Sequence, residues 1–260
     1  MNIALIGYGK MGRMIEQIAC SAGHKITAII DPFAAENKGE NCSKISKTIA
    51  EADFSNTDAA IEFTRPDEAV NNIIILSKMK IPAVIGTTGW LENMETVKKT
   101  VENDKSSLFW ASNFSIGVNL FFQIAWYAAK LMNNFPEYDA AGFESHHNKK
   151  MDSPSGTAKI LAEGVLSILD RKNKIVWETM NRKPEADELH FPSLRLGSVP
   201  GTHSLYFDSP ADTIEITHTA RNREGFAFGA VRAAQWLFSE KRTGVFTIDD
   251  MMIDLFRVCP

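Results

Sequence analysis

The first part of the chain alternates short apolar runs with longer segments in which apolar residues recur every three or four positions. The apolar runs have the length of buried β-strands, and the segments between them have the periodicity of helices packed on one side. Strands that alternate with helices are typical of a parallel, doubly wound α/β sheet. The predicted strands are Ile3–Ile6, Ile26–Ile30, Ala59–Phe63, Pro82–Ile85 and Ser107–Ala111, and helices are predicted at Pro66–Met79 and Leu91–Glu102.

The pattern changes after Phe114. Ile116–Met132 is apolar almost throughout and predicts a long helix whose aromatic side chains pack against another domain or subunit. No low-complexity linker follows, so the joins between domains are predicted to be short hinges near Asn113 and Arg223. The next predicted elements are a strand at Tyr138–Phe143, a helix through Ile160–Leu169 and an irregular polar segment at Arg171–Glu188. Antiparallel strands are predicted at Phe191–Gly197, Thr202–Phe207 and Asp212–Thr219, with a turn at Ser198–Gly201 between the first two. A helix is predicted at Phe226–Phe238.

A glycine-rich turn, Gly7-Tyr8-Gly9-Lys10-Met11-Gly12, connects the first predicted strand to a helix. In this context Gly7 makes a tight turn, Gly9 lets a pyrophosphate approach the backbone, and Gly12 lets helix and strand pack closely. Asp31 ends the second strand about 20 residues further on, where a carboxylate would accept hydrogen bonds from an adenosine ribose. The alternative is a tight turn that binds no ligand.

Two further segments follow strands of the same predicted sheet. They are Gly86-Thr87-Thr88 and Ala111-Ser112-Asn113-Phe114. Ligands of doubly wound sheets lie beyond the carboxyl ends of the strands, so both segments are expected to share a dinucleotide site with the glycine turn. Taken alone, Gly86–Thr88 fits an ordinary loop equally well.

Composition narrows the function classes. The 260 residues carry a net charge of −4, with 23% charged and 44% apolar residues, which favours neither nucleic-acid nor membrane binding. The three cysteines (Cys20, Cys42, Cys259) lie far apart without C-x-x-C spacing, which indicates free thiols in a reducing compartment. No apolar run approaches about 18 residues, and the chain begins directly with a strand, so neither a membrane helix nor a signal peptide is expected. We therefore predict a cytoplasmic protein.

The densest cluster of polar chemistry is Glu144–Ala158. His146, His147 and Lys150 precede a turn that leaves the amides of Gly156 and Thr157 at a helix start. Such amides bind anions, and imidazole or ammonium groups beside them can supply protons. The alternative is a solvated loop with a helix cap.

The same cluster matches E-x-H-H-x-x-K-x-D-x-P-S-G-T-A at every specified position. Through this motif the chain resembles the 4-hydroxy-tetrahydrodipicolinate reductase family of lysine and diaminopimelate biosynthesis. The resemblance extends over essentially the whole chain. Further matching segments are Gly7–Gly12, Gly86–Thr88, Asn113–Asn119, Arg195–His203 and Gly229–Arg232.

The resemblance implies a fold, a reaction and a set of residue roles. The fold would be a Rossmann-type domain at residues 1–113, completed by 224–260, and an α+β domain at 114–223 whose open mixed sheet forms a homotetramer. The substrate would be a small cyclic dicarboxylate, reduced with NADH or NADPH. Hydride addition to its unsaturated imine would leave an electron-rich intermediate that needs a proton. The implied proton donors are His146 and Lys150. The implied substrate-binding residues are His147, Ser155, Gly156 and Thr157, and Arg223 is added from its place at the hinge. The implied cofactor-binding residues are Gly7, Tyr8, Gly9, Lys10, Met11, Gly12, Asp31, Gly86, Thr87, Thr88, Ala111, Ser112, Asn113 and Phe114.

One departure bears on the cofactor. Many family members follow the acid after the second strand with arginine, whereas Pro32 and Phe33 follow Asp31 here. Because Asp31 would repel a 2′-phosphate, NADH is expected to serve at least as well as NADPH. Lys10 or Lys38 could compensate by proximity.

Other interpretations remain open at this stage. The scaffold also suits another NAD(P)-dependent amino-acid dehydrogenase or a non-catalytic redox sensor, although a sensor has no use for His146 and Lys150. Arg223 fits a surface ion pair as well as a substrate contact, and His203 and His218 fit structural roles better than catalytic ones. We predict no metal, because adjacent residues on an extended chain point in opposite directions and no cysteine lies near His146 and His147.

Overall fold

The computed structural model of the protein describes residues 1–34 and 45–257. Within this part of the chain the backbone divides into two compact units, Met1–Ile116 with Glu224–Pro260, and Gly117–Arg223. The predicted roles of Lys38, Cys42 and Cys259 lie outside the described residues, while Cys20 is exposed and free. None of the described helices is long and apolar enough to cross a membrane.

Helices and strands follow one another along both units. The helices are α1 (Lys10–Ser21), α2 (Pro66–Lys78), α3 (Met94–Asp104), α4 (Ile116–Met132), α5 (Gly156–Ile168), α6 (Glu224–Ser239) and α7 (Ile248–Arg257). The strands are β1 (Asn2–Ile6), β2 (Lys25–Ile30), β3 (Ile45–Ser46), β4 (Ala59–Glu62), β5 (Ala83–Ile85), β6 (Ser107–Trp110), β7 (Asp139–His146), β8 (Lys174–Val176), β9 (Glu188–His190), β10 (Ser193–Arg195), β11 (Thr202–Asp208), β12 (Thr213–Thr219) and β13 (Gly244–Thr247).

The first unit contains the predicted doubly wound sheet. Among the described residues its strands are all parallel, in the order β13-β6-β5-β4-β1-β2-β3. Along β1 the side chains of Ile3 and Leu5 enter one apolar cluster and those of Ala4 and Ile6 enter another. Both faces of the sheet are therefore covered, which explains why most positions in its strands are apolar. The predicted fold class is confirmed.

Four described elements of the first unit were absent from the sequence prediction. They are the two-residue strand β3, a 3₁₀ turn at Ile49–Glu51, the strand β13 and the helix α7. β13 pairs with β6 at the edge of the sheet, and each of its residues is only partly buried. A strand with so little burial has no continuous apolar signal, so its pairing partner defines it better than its sequence does. The predicted helix at Leu91–Glu102 begins as a 3₁₀ turn at Leu91–Asn93 before α3.

The second unit is built around β7. Its mixed sheet has the order β12-β11-β7-β9-β8, and β10 also pairs with β7. α4 has the predicted bounds, and its buried residues share an apolar cluster with α5 and with the inner face of the sheet. Phe122 and Trp126 of α4 stack 5.4 Å apart between ring centroids, so these aromatic residues contribute to packing within the unit.

The predicted hairpin between Phe191–Gly197 and Thr202–Phe207 is wrong. β10 pairs in parallel with the end of β7, whereas β11 pairs antiparallel with β7 over its length. β7 therefore lies between the two predicted hairpin partners. Pro192 separates β9 from β10 because proline cannot donate a backbone hydrogen bond, and only its carbonyl joins the ladder, accepting from the Glu144 amide.

Two predicted boundaries in this unit are also wrong. The segment Arg171–Glu188, predicted to be irregular, contains β8 and the first residue of β9. The strand predicted at Tyr138–Phe143 continues to His146, so Glu144 and His146 belong to a central strand and not to a loop. In a sequence, a charged residue is normally taken as the end of a buried strand, because a buried charge is costly. The strand can continue through it only if other residues neutralise the charge inside the fold.

Candidate active site

The glycine turn of the first unit has little free space around two of its glycines. Gly7 has φ +88°, and a Cβ there would clash with the Phe63 carbonyl oxygen. A Cβ on Gly12 would clash in the same way with the Gly7 carbonyl oxygen. A Cβ on Gly9, in contrast, would have no atom within 4 Å. The turn is therefore closely packed against β4 and α1 but open at Gly9, where a ligand can approach the backbone.

A cleft of about 360 Å³ lies at the carboxyl ends of the strands in this unit. Residues from two of the predicted cofactor segments, Gly7–Gly12 and Gly86–Thr88, line this cleft. It also includes residues after β4 that sequence reasoning missed, although their position directly after a strand end was the same signal. The lining residues are Gly9, Lys10, Met11, Phe63, Thr64, Pro66, Gly86, Thr87 and Thr88.

Asp31 is held by the backbone around it. One carboxylate oxygen accepts a hydrogen bond of 2.7 Å from the Tyr8 amide, and the other accepts from the amides of Phe33 at 2.8 Å and Ala34 at 3.0 Å. Each carboxylate oxygen can accept more than one hydrogen bond, so at least the oxygen facing Tyr8 has capacity for a ribose hydroxyl. Phe33 beside it is 78% exposed. This half of the unit therefore suits adenosine.

The segment Ala111–Phe114 offers less than the sequence indicated. Ala111 and Phe114 are buried, and Phe114 packs 5.9 Å from both Phe63 and Phe109 between ring centroids. The Asn113 side-chain oxygen accepts from the Ser115 amide. Of the four residues only Ser112 is exposed, so Phe114 is better described as support for Phe63, which lines the cleft.

Glu62 is a buried carboxyl group behind this cleft. One of its oxygens accepts from the Thr64 amide and hydroxyl and from Asn72 at 3.5 Å. The other oxygen is buried with no hydrogen-bond partner among the described residues. Burial raises the pKa of Glu62, and the hydrogen bonds from Thr64, Thr87 and Asn72 only partly oppose this effect.

In the second unit the central group is Glu144, which is 0% exposed. One carboxylate oxygen, Oε1, accepts from the Ser155 amide at 3.0 Å, the Ser193 hydroxyl at 2.8 Å and the Arg195 guanidinium at 2.9 Å. Burial alone would raise the pKa of Glu144, but contacts with His146, His203, Ser155 and Ser193 outweigh burial and hold this pKa well below its usual range. Glu144 is therefore an ionised buried carboxylate.

Two imidazoles face the other oxygen of Glu144. Nδ1 of His146 lies 2.8 Å from Oε2, although its N–H direction departs from the line between the two atoms. Nε2 of His203 lies 3.6 Å from the same oxygen and 3.2 Å from the Ser155 hydroxyl. The two rings meet edge to face at 5.1 Å between centroids. Burial lowers the pKa of His203, and the Glu144 carboxylate only partly offsets this.

Lys150 lies in the turn after β7. Its ammonium group is 2.7 Å from the Asp152 carboxylate, and a hydrogen bond from Lys150 lowers the pKa of Asp152. The Asp152 carbonyl oxygen accepts a 2.6 Å hydrogen bond from Arg195, the residue that also binds Glu144. Sequence reasoning missed Glu144 and Arg195 as site residues, although both lie in segments that matched the family.

The start of α5 closes this cluster. Ser155 is the N-cap, and its hydroxyl accepts a 3.1 Å hydrogen bond from the Ala158 amide. Gly156 and Thr157 follow as the first helical residues, whose amides have no acceptor within the helix. Gly156 is exposed, and a Cβ at this position would have no atom within 4 Å. The helix start is therefore open to an anion.

Other candidate residues are less closely connected. His147 follows the strand, and its buried Nδ1 has no hydrogen-bond partner within the described ranges. Arg223, the last residue of the second unit, is exposed and makes none of the ion pairs found among the described residues. His218 lies opposite His203 in the β11–β12 pair and 5.9 Å from Phe121, and burial lowers its pKa.

The spacing of Glu144, His146 and His203 would also suit a metal ion. One ligand atom from each lies within 4.8 Å of the others, and no second group of this kind occurs in residues 1–34 and 45–257. However, Oε1 of Glu144 already binds the cationic Arg195, which disfavours a further cation nearby. The absence of a metal stays a prediction.

Comparison with known proteins identifies the relatives of the chain. Residues 1–114 match the family model for the N-terminus of dihydrodipicolinate reductase, and residues 117–252 match the model for its C-terminus. The chain belongs to the dihydrodipicolinate reductase family. A 4-hydroxy-tetrahydrodipicolinate reductase from Christiangramia forsetii is 41% identical over 99% of this chain and 100% of the relative. A family member of the same name from Archaeoglobus fulgidus is 36% identical over 97% of this chain and 100% of the relative.

Solved structures support the fold of this family. A dipicolinate-bound dihydrodipicolinate reductase from Paenisporosarcina sp. matches with a TM-score of 0.76 at 20% identity, covering 95% of this chain and 97% of that one. A probable dehydrogenase from Thermotoga maritima matches with a TM-score of 0.61 at 11% identity, covering 96% and 92%. The family models and the relatives at 41% and 36% identity confirm the resemblance inferred from the sequence, and the solved structures agree with the fold.

Glu62 gives a prediction about stability. Its raised pKa means that the folded state keeps a proton that the unfolded state loses above the ordinary value of 4.5. Its contribution to stability is therefore full below that value and is lost as pH rises through the raised pKa. We expect Glu62→Gln to lose less free energy of unfolding than the wild type between pH 5 and pH 8, as measured by urea unfolding at constant ionic strength. Glu68→Gln, at an exposed site on α2, is the matched control, and a wild-type pH dependence in Glu62→Gln would contradict the assignment.

Proposed function

We propose that the protein reduces 4-hydroxy-tetrahydrodipicolinate to tetrahydrodipicolinate with NADH or NADPH, in lysine and diaminopimelate biosynthesis. The single observation that supports this most directly is the grouping of Glu144, His146 and the start of α5 in a chain whose curated relatives bear this name. The first unit would bind the cofactor, and the second would bind the substrate and form the oligomer. A cytoplasmic location stays a prediction.

The first unit has the groups that a dinucleotide needs. Gly9 leaves the backbone open for the pyrophosphate, Asp31 can accept from the adenosine ribose, and Thr88 is an exposed residue of the cleft. When bound, the dihydronicotinamide supplies the hydride. Because Lys10 is exposed at the same cleft, it can bring a positive charge close to the phosphates.

In the second unit the start of α5 would anchor one substrate carboxylate. The amides of Gly156 and Thr157 point out of the helix, and the helix dipole adds to their attraction for an anion. His147, Ser155 and Arg223 are the further substrate-binding residues that we propose. Dipicolinate, which was bound in the Paenisporosarcina reductase, is a flat ring with two carboxylates. Like the substrate proposed here, it needs hydrogen-bond donors and cations around those carboxylates.

A proton donor completes the reaction. Loss of the substrate's 4-hydroxyl group as water gives a conjugated imine. Hydride addition to this imine leaves an enamine whose carbon must be protonated. His146 ends β7 and Lys150 follows it in the next turn, so both lie on one connection that ends at the proposed carboxylate site. This arrangement favours a reductase over a redox sensor, since a sensor needs no acid at this position. The assay below distinguishes the reductase from an amino-acid dehydrogenase.

The proposed activity can be tested first with the substrate and then with variants of the candidate site residues. We expect NADH absorbance to fall when enzymatically generated 4-hydroxy-tetrahydrodipicolinate is added. His146→Gln and Lys150→Met should each lower kcat by about two orders of magnitude or more, with the KM for NADH unchanged. His147→Gln should act mainly on the substrate KM.

The matched controls are His190→Gln and Lys130→Met, which change the same residue types outside the cluster. Both should keep wild-type kinetics. If His146→Gln and Lys150→Met also kept near wild-type kcat, the assignment of the site would be wrong. Oxidation of an amino acid by NAD⁺, without reduction of the imine, would favour the dehydrogenase.

Asp31 generates the cofactor prediction. Its carboxylate would repel a 2′-phosphate, and exposed Phe33 offers no compensating charge. We expect kcat/KM for NADH to equal or exceed that for NADPH at one ionic strength. In Asp31→Asn the difference in kcat/KM between the two cofactors should become smaller. A preference for NADPH of tenfold or more in the wild type would refute this argument.

We also propose that the second unit forms a homotetramer through its sheet. One face packs on α4 and α5, and the opposite face carries Phe143 stacked on Tyr206 at 6.2 Å and the partly exposed edge strand β12. An open sheet with such an edge needs protection by pairing or covering. Light scattering should give the mass of a tetramer at micromolar concentration, and Tyr206→Asp should shift it to smaller species. A stable wild-type monomer would contradict this proposal.

A further inference from the structure

The proposed reaction assigns no task to Glu144, although this residue is the most highly connected of the cluster. It is fully buried, it is ionised, and it lies two positions before His146 on the same face of β7. A buried charge of this kind is costly unless several donors compensate it. The donors that do so all come from the residues around the two candidate acids.

The first link runs from Glu144 to His146. Nδ1 of His146 is buried and lies 2.8 Å from Oε2 of Glu144. The His146 side chain keeps 10% of its surface exposed, and this exposure belongs to atoms other than Nδ1, which is covered. A carboxylate beside one imidazole nitrogen favours a proton on that nitrogen and orients the ring, which leaves Nε2 as the nitrogen that can face a ligand.

The second link runs from Glu144 to the Lys150 turn. Arg195 donates from one nitrogen to Oε1 of Glu144 at 2.9 Å and to the Asp152 carbonyl oxygen at 2.6 Å. Asp152 in turn holds the Lys150 ammonium group at 2.7 Å. Glu144 therefore restrains the turn that carries the second candidate acid, through one guanidinium group.

Gly201 contributes the space in front of His146. Its φ is +153°, and a Cβ at this position would lie 2.9 Å from Nε2 of His146. Any side chain at position 201 would therefore press on the nitrogen that Glu144 leaves available. Gly197, in the same connection, also has a positive φ of +50°, but a Cβ there would have no atom within 4 Å.

We propose that Glu144 is a positioning residue for both candidate acids, and that Gly201 keeps Nε2 of His146 clear for the substrate. Glu144 orients the His146 ring through Oε2 and restrains the Lys150 turn through Arg195. This inference rests on the proposed function and names residues beyond it. Neither Glu144 nor Gly201 needs to touch the substrate.

Charges around the pair set the expected pH behaviour. Arg195 of β10 and His203 of β11 face Glu144 directly. His218 of β12 pairs with His203, and Lys150 and Asp152 lie in the turn that Arg195 binds. Glu144 and Arg195 carry opposite charges at the centre of this cluster. Removing one or the other charge should therefore shift the pH dependence of kcat in opposite directions.

The experiment measures kcat between pH 5 and pH 10 with saturating NADH and substrate. Glu144→Gln should lower kcat by about tenfold or more, because misorienting a histidine beside its carboxylate costs up to about 10⁴ in a comparable pair. The pH above which kcat declines should move down in Glu144→Gln and up in Arg195→Gln. The KM for NADH should stay as in the wild type in both variants.

If Glu144 had only a structural role, its substitution would lower the yield or thermal stability of the protein. It would not make the pH profiles of kcat in Glu144→Gln and Arg195→Gln move in opposite directions. Unchanged profiles in both variants, or shifts of the same sign, would overturn the positioning role of Glu144. If both variants lost kcat while His146→Gln kept it, the proposed function itself would be at fault, because His146 would then not be the group positioned.

Gly201→Ala provides an independent test if Glu144→Gln does not fold. It should lower kcat well below that of Gly197→Ala, where φ is also positive but no contact to His146 forms. Because φ at Gly201 is more costly for alanine than φ at Gly197, kcat is compared only after the folded fraction of each variant has been measured. Circular dichroism and thermal unfolding would establish that both alanine variants are folded. Equal kcat values for the two variants would refute the role of Gly201.

Discussion

Burying the charge of Glu144 without leaving it unpaired requires partners from four elements of the second unit. β10 supplies Ser193 and Arg195, β11 supplies His203, the start of α5 supplies the Ser155 amide, and β7 itself supplies His146. Desolvating a carboxylate costs several kcal/mol in a protein interior, so these partners must be in place together. The pairing of β10 with the end of β7 follows from this requirement as much as from the backbone ladder.

The first unit satisfies a different constraint. Its parallel strands end at one edge, so the loops that follow β1, β4 and β5 converge there. The Thr64 amide donates a 2.8 Å hydrogen bond to the Thr87 hydroxyl and so joins two of these loops. The close packing of Gly7 against the Phe63 carbonyl shows how near these loops come to one another. One unit thus builds its site from the geometry of a sheet edge, whereas the other builds its site around a charge.

The difference explains which parts of the site were recognisable in advance. Gly7–Gly12, Asp31 and Gly86–Thr88 follow local rules, since a turn residue or a strand end is visible within a few positions. Glu144 and Arg195 bind each other over 51 residues of chain, and nothing in either segment alone indicates the partner. Phe114 was predicted to bind the cofactor from its position after a strand, and its side chain packs against Phe63 and Phe109, a contact that the local sequence does not indicate.

The sequence by itself determined the doubly wound sheet, the long helix α4 and the family, because apolar periodicity and short motifs are properties of neighbouring residues. Only the tertiary structure decided that β7 lies between β10 and β11, that β13 completes the first sheet, and that β7 extends through Glu144 to His146. Each of these depends on partners that are distant along the chain. Strand pairing and the neutralisation of a buried charge are satisfied by the fold as a whole, so no local pattern specifies them.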